Sequence, residues 1–87
     1  MKIRLLRQPF KFLQKAKTPL QSKIVEELKR IAGNPKIGKT LTGKLKLVRS
    51  HKFTSAGVQY RIAYQIRGDV IVILIASREN FYRDLQI

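Results

Sequence analysis

Apolar and charged residues alternate over positions 2–6, and alternation of this kind predicts a short strand. The alternation stops before the first proline, and a helix is predicted over positions 9–18. Phe10 and Leu13 would form the inner face of this helix. The chain is therefore expected to open with a strand and a helix.

The most regular helical pattern comes next along the chain. Thr18 is a common N-cap residue type and is followed by proline, which suits a first helical turn, whereas Gly33 suits a helix end. A second helix is therefore predicted over positions 18–33, with Glu26 placed to pair with Arg30 one turn later. The apolar positions at helical spacing are Leu20, Ile24, Leu28 and Ile31.

The second half of the chain has the period of strands, and Leu45, Leu47 and Phe53 are expected to face the core. Positions 34–44 carry proline and glycine among lysines, which predicts a loop across the surface. The run at 70–76 is apolar at every position, as expected of a strand inside its sheet. The elements predicted after the loop are strands over 45–53, 58–67 and 70–76 and a short helix over 79–85.

The order of these elements indicates an α+β fold in a single domain, residues 1–87. A strand, two helices, a three-stranded meander and a short C-terminal helix would form a small antiparallel sheet with the helices packed on one face. A chain of 87 residues is long enough for one such core and leaves no room for a second domain.

Charge limits the choice of partner. Lys and Arg number 19 and Asp and Glu number 5, so the formal net charge is +14. This excess attracts polyanions and exceeds the magnitude of about 2–8 that solubility requires in a small domain. A nucleic acid is the expected partner, because no segment has the continuous apolar face that binding to an anionic membrane requires.

Residue types exclude several kinds of site. The chain has no cysteine, so disulfides, cysteine zinc sites and thiol catalysis are excluded. The single histidine, His51, has no partner at metal-ligand spacing, and we expect no metal, cofactor or small-molecule ligand. The longest apolar run is too short to cross a membrane and the first residues do not resemble a secretory signal, so a cytoplasmic location is expected.

Two arginines are predicted to share one face of the sheet. If positions 68–69 form the turn between the last two strands, Arg61 lies opposite Ala76. Arg78 is then the diagonal neighbour of Arg61, and both guanidinium groups would reach one phosphate. Tyr82 follows Arg78 by one helical turn, which would bring its ring to the same patch.

The preceding strand should supply further cations, and its register decides which ones. Pairing of Phe53 with Val58 would place Ser50 and Lys52 on the face of Arg61. A slip of one residue would exchange the two faces of the strand. The candidates that remain open on this strand are Arg49, His51 and Lys52.

Lysine, arginine and tyrosine side chains can together support the cleavage of RNA. The 2′-hydroxyl attacks the neighbouring phosphate once a base removes its proton, cations stabilise the anionic transition state, and an acid protonates the leaving oxygen. These side chains can serve all three purposes. A phosphoryl transfer is therefore compatible with the composition of the predicted patch.

In four segments the chain has residues typical of a known family. The segments are Asn34-Pro35, Leu41-Thr42-Gly43, Tyr60-Arg61-Ile62-Ala63-Tyr64 and Arg78-Glu79-Asn80-Phe81-Tyr82. Together they resemble the RelE branch of the RelE/ParE family of bacterial toxins from type II toxin–antitoxin pairs, and the resemblance covers nearly the whole chain. It implies a RelE-like fold and an endoribonuclease that cleaves messenger RNA in the ribosomal A site, without metal, by attack of the 2′-hydroxyl.

The same resemblance implies roles for individual residues and for partners. Arg61 would steady the scissile phosphate, Arg78 would lie near the leaving group, and Tyr82 would stack on a base. Messenger RNA, the ribosome with its 16S ribosomal RNA, and a cognate acidic antitoxin are the implied partners. The family's basic residues on the preceding strand correspond to Arg49 and His51 or else to Lys52.

Two other functions fit the sequence. A second branch of the family poisons DNA gyrase and lacks the RNA-cleaving residues, whereas the combination of Arg61, Arg78 and Tyr82 favours cleavage. A protein without enzymatic activity could also use the same basic face only to bind the ribosome or another nucleic acid.

Overall fold

The computed structural model describes residues 1–85, so the last two positions of the predicted domain lie outside the described part. One sheet in the strand order β1-β5-β4-β3-β2 forms the centre of the fold. A short 3-10 turn, Gly43–Leu45, lies between β2 and β3. The elements are β1 (Ile3–Leu5), α1 (Arg7–Lys15), α2 (Thr18–Gly33), β2 (Lys39–Thr40), β3 (Arg49–Ser55), β4 (Val58–Arg67), β5 (Asp69–Ser77) and α3 (Arg78–Asp84).

The sheet is mixed, which corrects the prediction of a wholly antiparallel one, while the α+β class is confirmed. β1 pairs in parallel with β5, so that Ile3 lies beside Val70 and Leu5 beside Val72. Alternation along a sequence identifies a strand but not the direction of its partner, and this partner lies far along the chain. Beyond the end of β1, the side chain of Gln8 continues the hydrogen bonding to β5. Its amide donates to the carbonyl oxygen of Ile75 (2.8 Å) and accepts from the Ile75 nitrogen (2.9 Å).

The helices cover both faces of the sheet, so the prediction of helices on one face is wrong for α3. α1 and α2 pack on the face that carries Ile62 and Tyr64. Phe81 of α3 is buried on the other face, against Ala63 and Leu74. β5 is apolar on both faces, as predicted, and such a strand needs cover on both sides. None of the helices along residues 1–85 is long and apolar enough to cross a membrane.

Two apolar side chains predicted to face inward are exposed. Phe10 is 51% exposed, whereas Phe12 and Leu13 pack against the core, so the buried stripe of α1 is shifted from the predicted one. Leu47 is 69% exposed because the chain before it turns in a 3-10 helix and β3 begins only afterwards. The predicted helical stripe therefore has the wrong phase, whereas the predicted inward parity of β3 is right and only its start is too early.

The hairpin between β4 and β5 reaches the predicted register by a different route. Arg67 pairs with Asp69, so only Gly68, at a φ of 73°, lies between the strands rather than two residues. Between Ala63 and Tyr64 of β4, a β-bulge then shifts the pairing with β5 by one residue. Beyond the bulge Arg61 lies opposite Ala76, as predicted.

The register of β3 decides which of its cations reach the site. Phe53 pairs with Tyr60 rather than with Val58, because the reversal at positions 56–57 is tight and both residues there have positive φ. A difference of two residues leaves the faces of β3 unchanged. Lys52 therefore lies directly opposite Arg61.

Candidate active site

Adjacent residues of β3 point to opposite faces of the sheet, and this divides the three candidates that the sequence left open. Lys52 lies on the face covered by α3, directly opposite Arg61. Arg49 and His51 pair with Tyr64 and Ile62, which face α1 and α2. Lys52 is thus the candidate from β3 that shares a sheet face with Arg61.

Arg61 is held from the side of α3. Its Nη1 donates to the Tyr82 hydroxyl at 3.1 Å. The guanidinium carbon lies 5.5 Å from the centre of the Tyr82 ring and 5.8 Å from that of Phe81, within the range of cation–π attraction. The buried Nε has no hydrogen-bond partner in the described part of the chain. Arg61 is therefore positioned by aromatic rings and keeps donor capacity for a ligand.

Tyr82 is placed by its neighbour in α3. Phe81 is fully buried, and the Tyr82 ring meets the Phe81 ring edge to face, with centroids 5.1 Å apart and planes at 83°. Tyr82 itself remains 59% exposed. An exposed aromatic ring on a rigid support is suited to stacking on a nucleobase. The prediction that Tyr82 reaches the patch of Arg61 is confirmed by its hydrogen bond.

A cleft of about 420 Å³ with several basic side chains in its wall runs along this patch and around the edge of β3. No carboxylate of residues 1–85 lines it, so the cleft has the charge character of an anion site. Ser50, His51 and Tyr82 contribute polar groups to its wall. The basic side chains that line the cleft are Arg30, Lys39, Lys52 and Arg61.

His51 forms a buried polar pair with α2, although it touches the rim of the cleft. Its Nε2 lies 2.6 Å from Oε1 of Glu27, which is only 1% exposed. Lys23 and Arg30 lie 3.3 and 3.2 Å from the same carboxylate. Burial alone would raise the pKa of Glu27, but hydrogen bonds from His51 and Lys23 and the charge of Arg30 outweigh it and hold this pKa below its usual value.

Arg49 holds the loop between α2 and β2. Its Nη1 donates to the carbonyl oxygen of Gly38 at 2.8 Å. The buried Tyr64 hydroxyl donates to the carbonyl oxygen of Pro35 at 2.7 Å and accepts from the Gly38 nitrogen at 2.9 Å. Burial raises the pKa of Tyr64, so the hydroxyl stays protonated and able to donate. These contacts fix the approach of the chain to Lys39 in β2.

Arg78 is not brought into the cleft. It is the first residue of α3, is exposed, and lines a separate hollow beside the reversal between β3 and β4, together with Gly57 and Gln59. β5 ends one residue earlier, at Ser77. The predicted pair of arginines on one strand face is therefore separated by the start of a helix.

Two basic residues that line the cleft were not among the site residues predicted from the sequence. Lys39 belongs to the two-residue strand β2, which is too short to show a period. Arg30 was expected to pair with Glu26, but it pairs with Glu27, while Glu26 lies 3.7 Å from Lys23. Arg30 follows Glu27 by three residues in α2, and this helical spacing could have indicated their pairing. Within residues 1–85 no group of three or more His, Asp or Glu is placed to hold a metal ion.

The fold is similar to that of known bacterial toxins. The isolated E. coli RelE toxin matches with a TM-score of 0.68 and 20% identity, over 95% of this chain and 97% of that chain. A chain of the intact E. coli RelBE toxin–antitoxin complex matches with a TM-score of 0.69 and 19% identity, over 85% of this chain and 92% of that chain. A mutant of E. coli RelE bound to an antitoxin RelB peptide matches with a TM-score of 0.67 and 18% identity, over 97% and 93%.

Sequence comparison leads to the family. A search of curated proteins finds no match. A family model described as the ParE-like toxin of type II bacterial toxin–antitoxin systems matches residues 3–86, which is nearly the whole chain. The chain therefore belongs to the ParE-like toxin family of type II bacterial toxin–antitoxin systems.

Proposed function

We propose that this toxin is an endoribonuclease that cleaves messenger RNA on the ribosome and thereby inhibits translation. The observation that carries the proposal is the arrangement of Lys52, Arg61 and Tyr82. Two cations face each other across adjacent strands, one of them is fixed by an aromatic hydroxyl, and no carboxylate from the described part of the chain lines the cleft. Such an arrangement suits the phosphate of an RNA chain and the additional negative charge of its transition state.

The proposed reaction transfers the phosphoryl group within the RNA. The 2′-oxygen forms a bond to the adjacent phosphorus, the bond from phosphorus to the 5′-oxygen breaks, and the proton of the 2′-hydroxyl is balanced by one gained by the leaving oxygen. The products are a 2′,3′-cyclic phosphate and a 5′-hydroxyl. Arg61 and Lys52 would stabilise the anionic phosphorane, since both bring positive charge to one point of the sheet face.

Tyr82 and Arg78 would contact the RNA on either side of this point. The exposed ring of Tyr82 would support a base and hold the phosphate against Arg61, which its hydroxyl already contacts. Arg78 lies outside the cleft at the start of α3, so the role near the leaving oxygen that the family resemblance implies would require the RNA to extend from the cleft to the hollow that Arg78 lines. Placement of the RNA would thus depend mainly on α3.

Ribosome dependence follows from the few acid and base groups available in the cleft. Its one imidazole, that of His51, is already engaged through Nε2 with Glu27. A reaction with weak acid–base assistance depends strongly on alignment of the attacking and leaving oxygens, which the ribosome can impose on messenger RNA. Free RNA should therefore be cut poorly, and the large positive charge would serve contact with 16S ribosomal RNA.

A cognate antitoxin is the second proposed partner. The net charge of +14 favours binding of an acidic protein, which would cover the cleft and suppress the activity of the toxin. Two of the similar structures are complexes of E. coli RelE with RelB. Poisoning of DNA gyrase is the second candidate activity, because the matching family model is named for ParE-like toxins.

Mapping of RNA ends separates these possibilities. Purified toxin is mixed with ribosomes that carry a defined messenger RNA, and 5′-hydroxyl ends are mapped beside a sample of free RNA. Cuts in the A-site codon that require ribosomes are expected, together with no gyrase-dependent cleavage of supercoiled DNA. Intact messenger RNA on ribosomes, with cleaved DNA in the gyrase assay, would assign the toxin to the second activity.

A further inference from the structure

Ser50 has a buried hydroxyl that the fold does not use. The residue is 8% exposed, and its Oγ has no hydrogen-bond partner among the described residues. Buried hydroxyl groups are nearly always satisfied in folded proteins, because an unsatisfied one is destabilising. The hydroxyl therefore needs an explanation other than support of the fold.

The position of Ser50 connects it to the cations of the cleft. It precedes Lys52 by two residues on β3, so both lie on the same sheet face, and its partner across the ladder is Ala63. Arg61 is then its diagonal neighbour, a relation that spans about 7–8 Å. Ser50 itself lines the cleft. Since Ala63 is small, no side chain from β4 stands between the hydroxyl and Arg61 on that face.

A second orphaned donor lies on the same face. Nε of Arg61 is buried without a partner in residues 1–85, as is Oγ of Ser50. Two unsatisfied donors beside a lysine form a set that a phosphate would complete, since its oxygens accept several hydrogen bonds. Donors fixed before the substrate arrives need no reorganisation during the reaction.

We propose that Ser50 is a further substrate-contacting residue, whose hydroxyl donates a hydrogen bond to the phosphate held by Lys52 and Arg61. This inference rests on the proposed ribonuclease function. Ser50 lines the cleft, and rotation about its χ1 bond reorients the hydroxyl without any movement of the backbone. The bond would be strongest to the phosphorane, which carries the most negative charge.

The test is Ser50→Ala, measured for both cleavage and stability. Loss of a hydrogen bond to a charged group should slow single-turnover cleavage on programmed ribosomes by about tenfold to a hundredfold. Removal of an unsatisfied buried hydroxyl should at the same time raise the Tm by about 4 °C or more. If Ser50 merely supported the fold, Ser50→Ala would lower both the cleavage rate and the Tm.

The matched control is Thr54→Ala, which removes an exposed hydroxyl from the same strand and the same face, two residues beyond Lys52. Its cleavage rate should stay within about twofold of the wild type, since surface changes away from a site have small effects. Equal cleavage by Ser50→Ala and wild type would overturn the role of Ser50 and leave the ribonuclease intact. A wild-type protein that cuts no messenger RNA on ribosomes would overturn the proposed function itself, and the role of Ser50 with it.

Discussion

The two faces of the sheet at β3 and β4 differ in whether the fold satisfies the polar groups that they carry. On the face toward α2, His51 meets Glu27 at 2.6 Å and Arg49 donates to the Gly38 carbonyl at 2.8 Å. On the face toward α3, Oγ of Ser50 and Nε of Arg61 are buried without partners in the described chain. Polar groups on the first face therefore stabilise the fold, whereas those on the second are available to a ligand.

This difference matters because charge alone does not separate the two faces. Both carry basic residues, and both touch the same cleft around the edge of β3. What differs is whether a carboxylate or carbonyl already satisfies each group. Mutations on the two faces should accordingly affect different measurements, namely stability on one and cleavage on the other.

The largest expected effect belongs to the face toward α3. Arg61→Ala should reduce ribosome-dependent cleavage by about 10²-fold or more, because it removes a fixed cation from the anionic transition state. The Tm should change little compared with this loss, and growth arrest on overexpression should disappear. Arg67→Ala, at the exposed end of the same strand, is the control and should cut normally. Full toxicity of a folded Arg61→Ala protein would refute the assigned site.

The next effect belongs to the face toward α2. Glu27→Ala should lower the free energy of unfolding by about 3 kcal/mol, because it leaves the buried His51 without its partner. Urea denaturation followed by circular dichroism measures this loss. Glu26→Ala is a matched control, because Glu26 is the preceding residue, is exposed, and lies 3.7 Å from Lys23. A loss of stability equal in the two variants would remove the distinction between the faces.

A smaller effect is expected where Tyr64 holds the loop. Tyr64→Phe removes the hydroxyl that bridges the Pro35 carbonyl and the Gly38 nitrogen, which should cost about 1–2 kcal/mol of stability. Tyr60→Phe provides the comparison, since that ring is only partly buried and its packing against Phe53 is retained. Thermal unfolding of both variants tests this. A larger loss in Tyr60→Phe would contradict the assigned hydrogen bonds.

The smallest effect is a dependence on pH. The pKa of Glu27 is lower in the folded protein than its ordinary value of 4.5, so the unfolded chain binds more protons in acid. The stabilisation by this carboxylate is therefore complete at neutral pH and is lost as the pH falls below 4.5 through the folded pKa. The stability advantage of wild type over Glu27→Gln, measured by urea denaturation from neutral pH to pH ~3, should decrease on acidification. An advantage that grows in acid would show the opposite shift.

Local patterns predicted the part of the site that depends on neighbouring strands. The placement of Arg61 opposite Ala76 follows from one hairpin, and the face of Lys52 follows from strand parity. The predicted faces are right although the turn and the β3 register are not. The β-bulge compensates for the shorter turn, and a difference of two residues in the β3 register leaves the faces of the strand unchanged. The ring of Tyr82 reached the site because a helix begins directly after β5.

Features that join distant parts of the chain were not predictable from local patterns. Nothing in the local sequence distinguishes Glu27 from an exposed acid of a charged helix, because its buried partner His51 belongs to another element. The exposure of Phe10 depends on which face of α1 packs against the core, where Phe12 and Leu13 lie instead. The separation of Arg78 from Arg61 depends on the residue at which β5 gives way to α3. Each of these is decided by tertiary packing.

The edge of the sheet that carries Gln8 also bears on the order of folding. The amide of Gln8 and the backbone of Ile75 meet across 67 positions of sequence, and Ile3 pairs with Val70. A nascent chain therefore carries an unpaired first strand until residues of β5 have emerged, and such long loop closures slow folding. During this interval the strand is exposed to pairing with other chains, and any partner that captured it early would act on the maturation of the toxin rather than on its cleft.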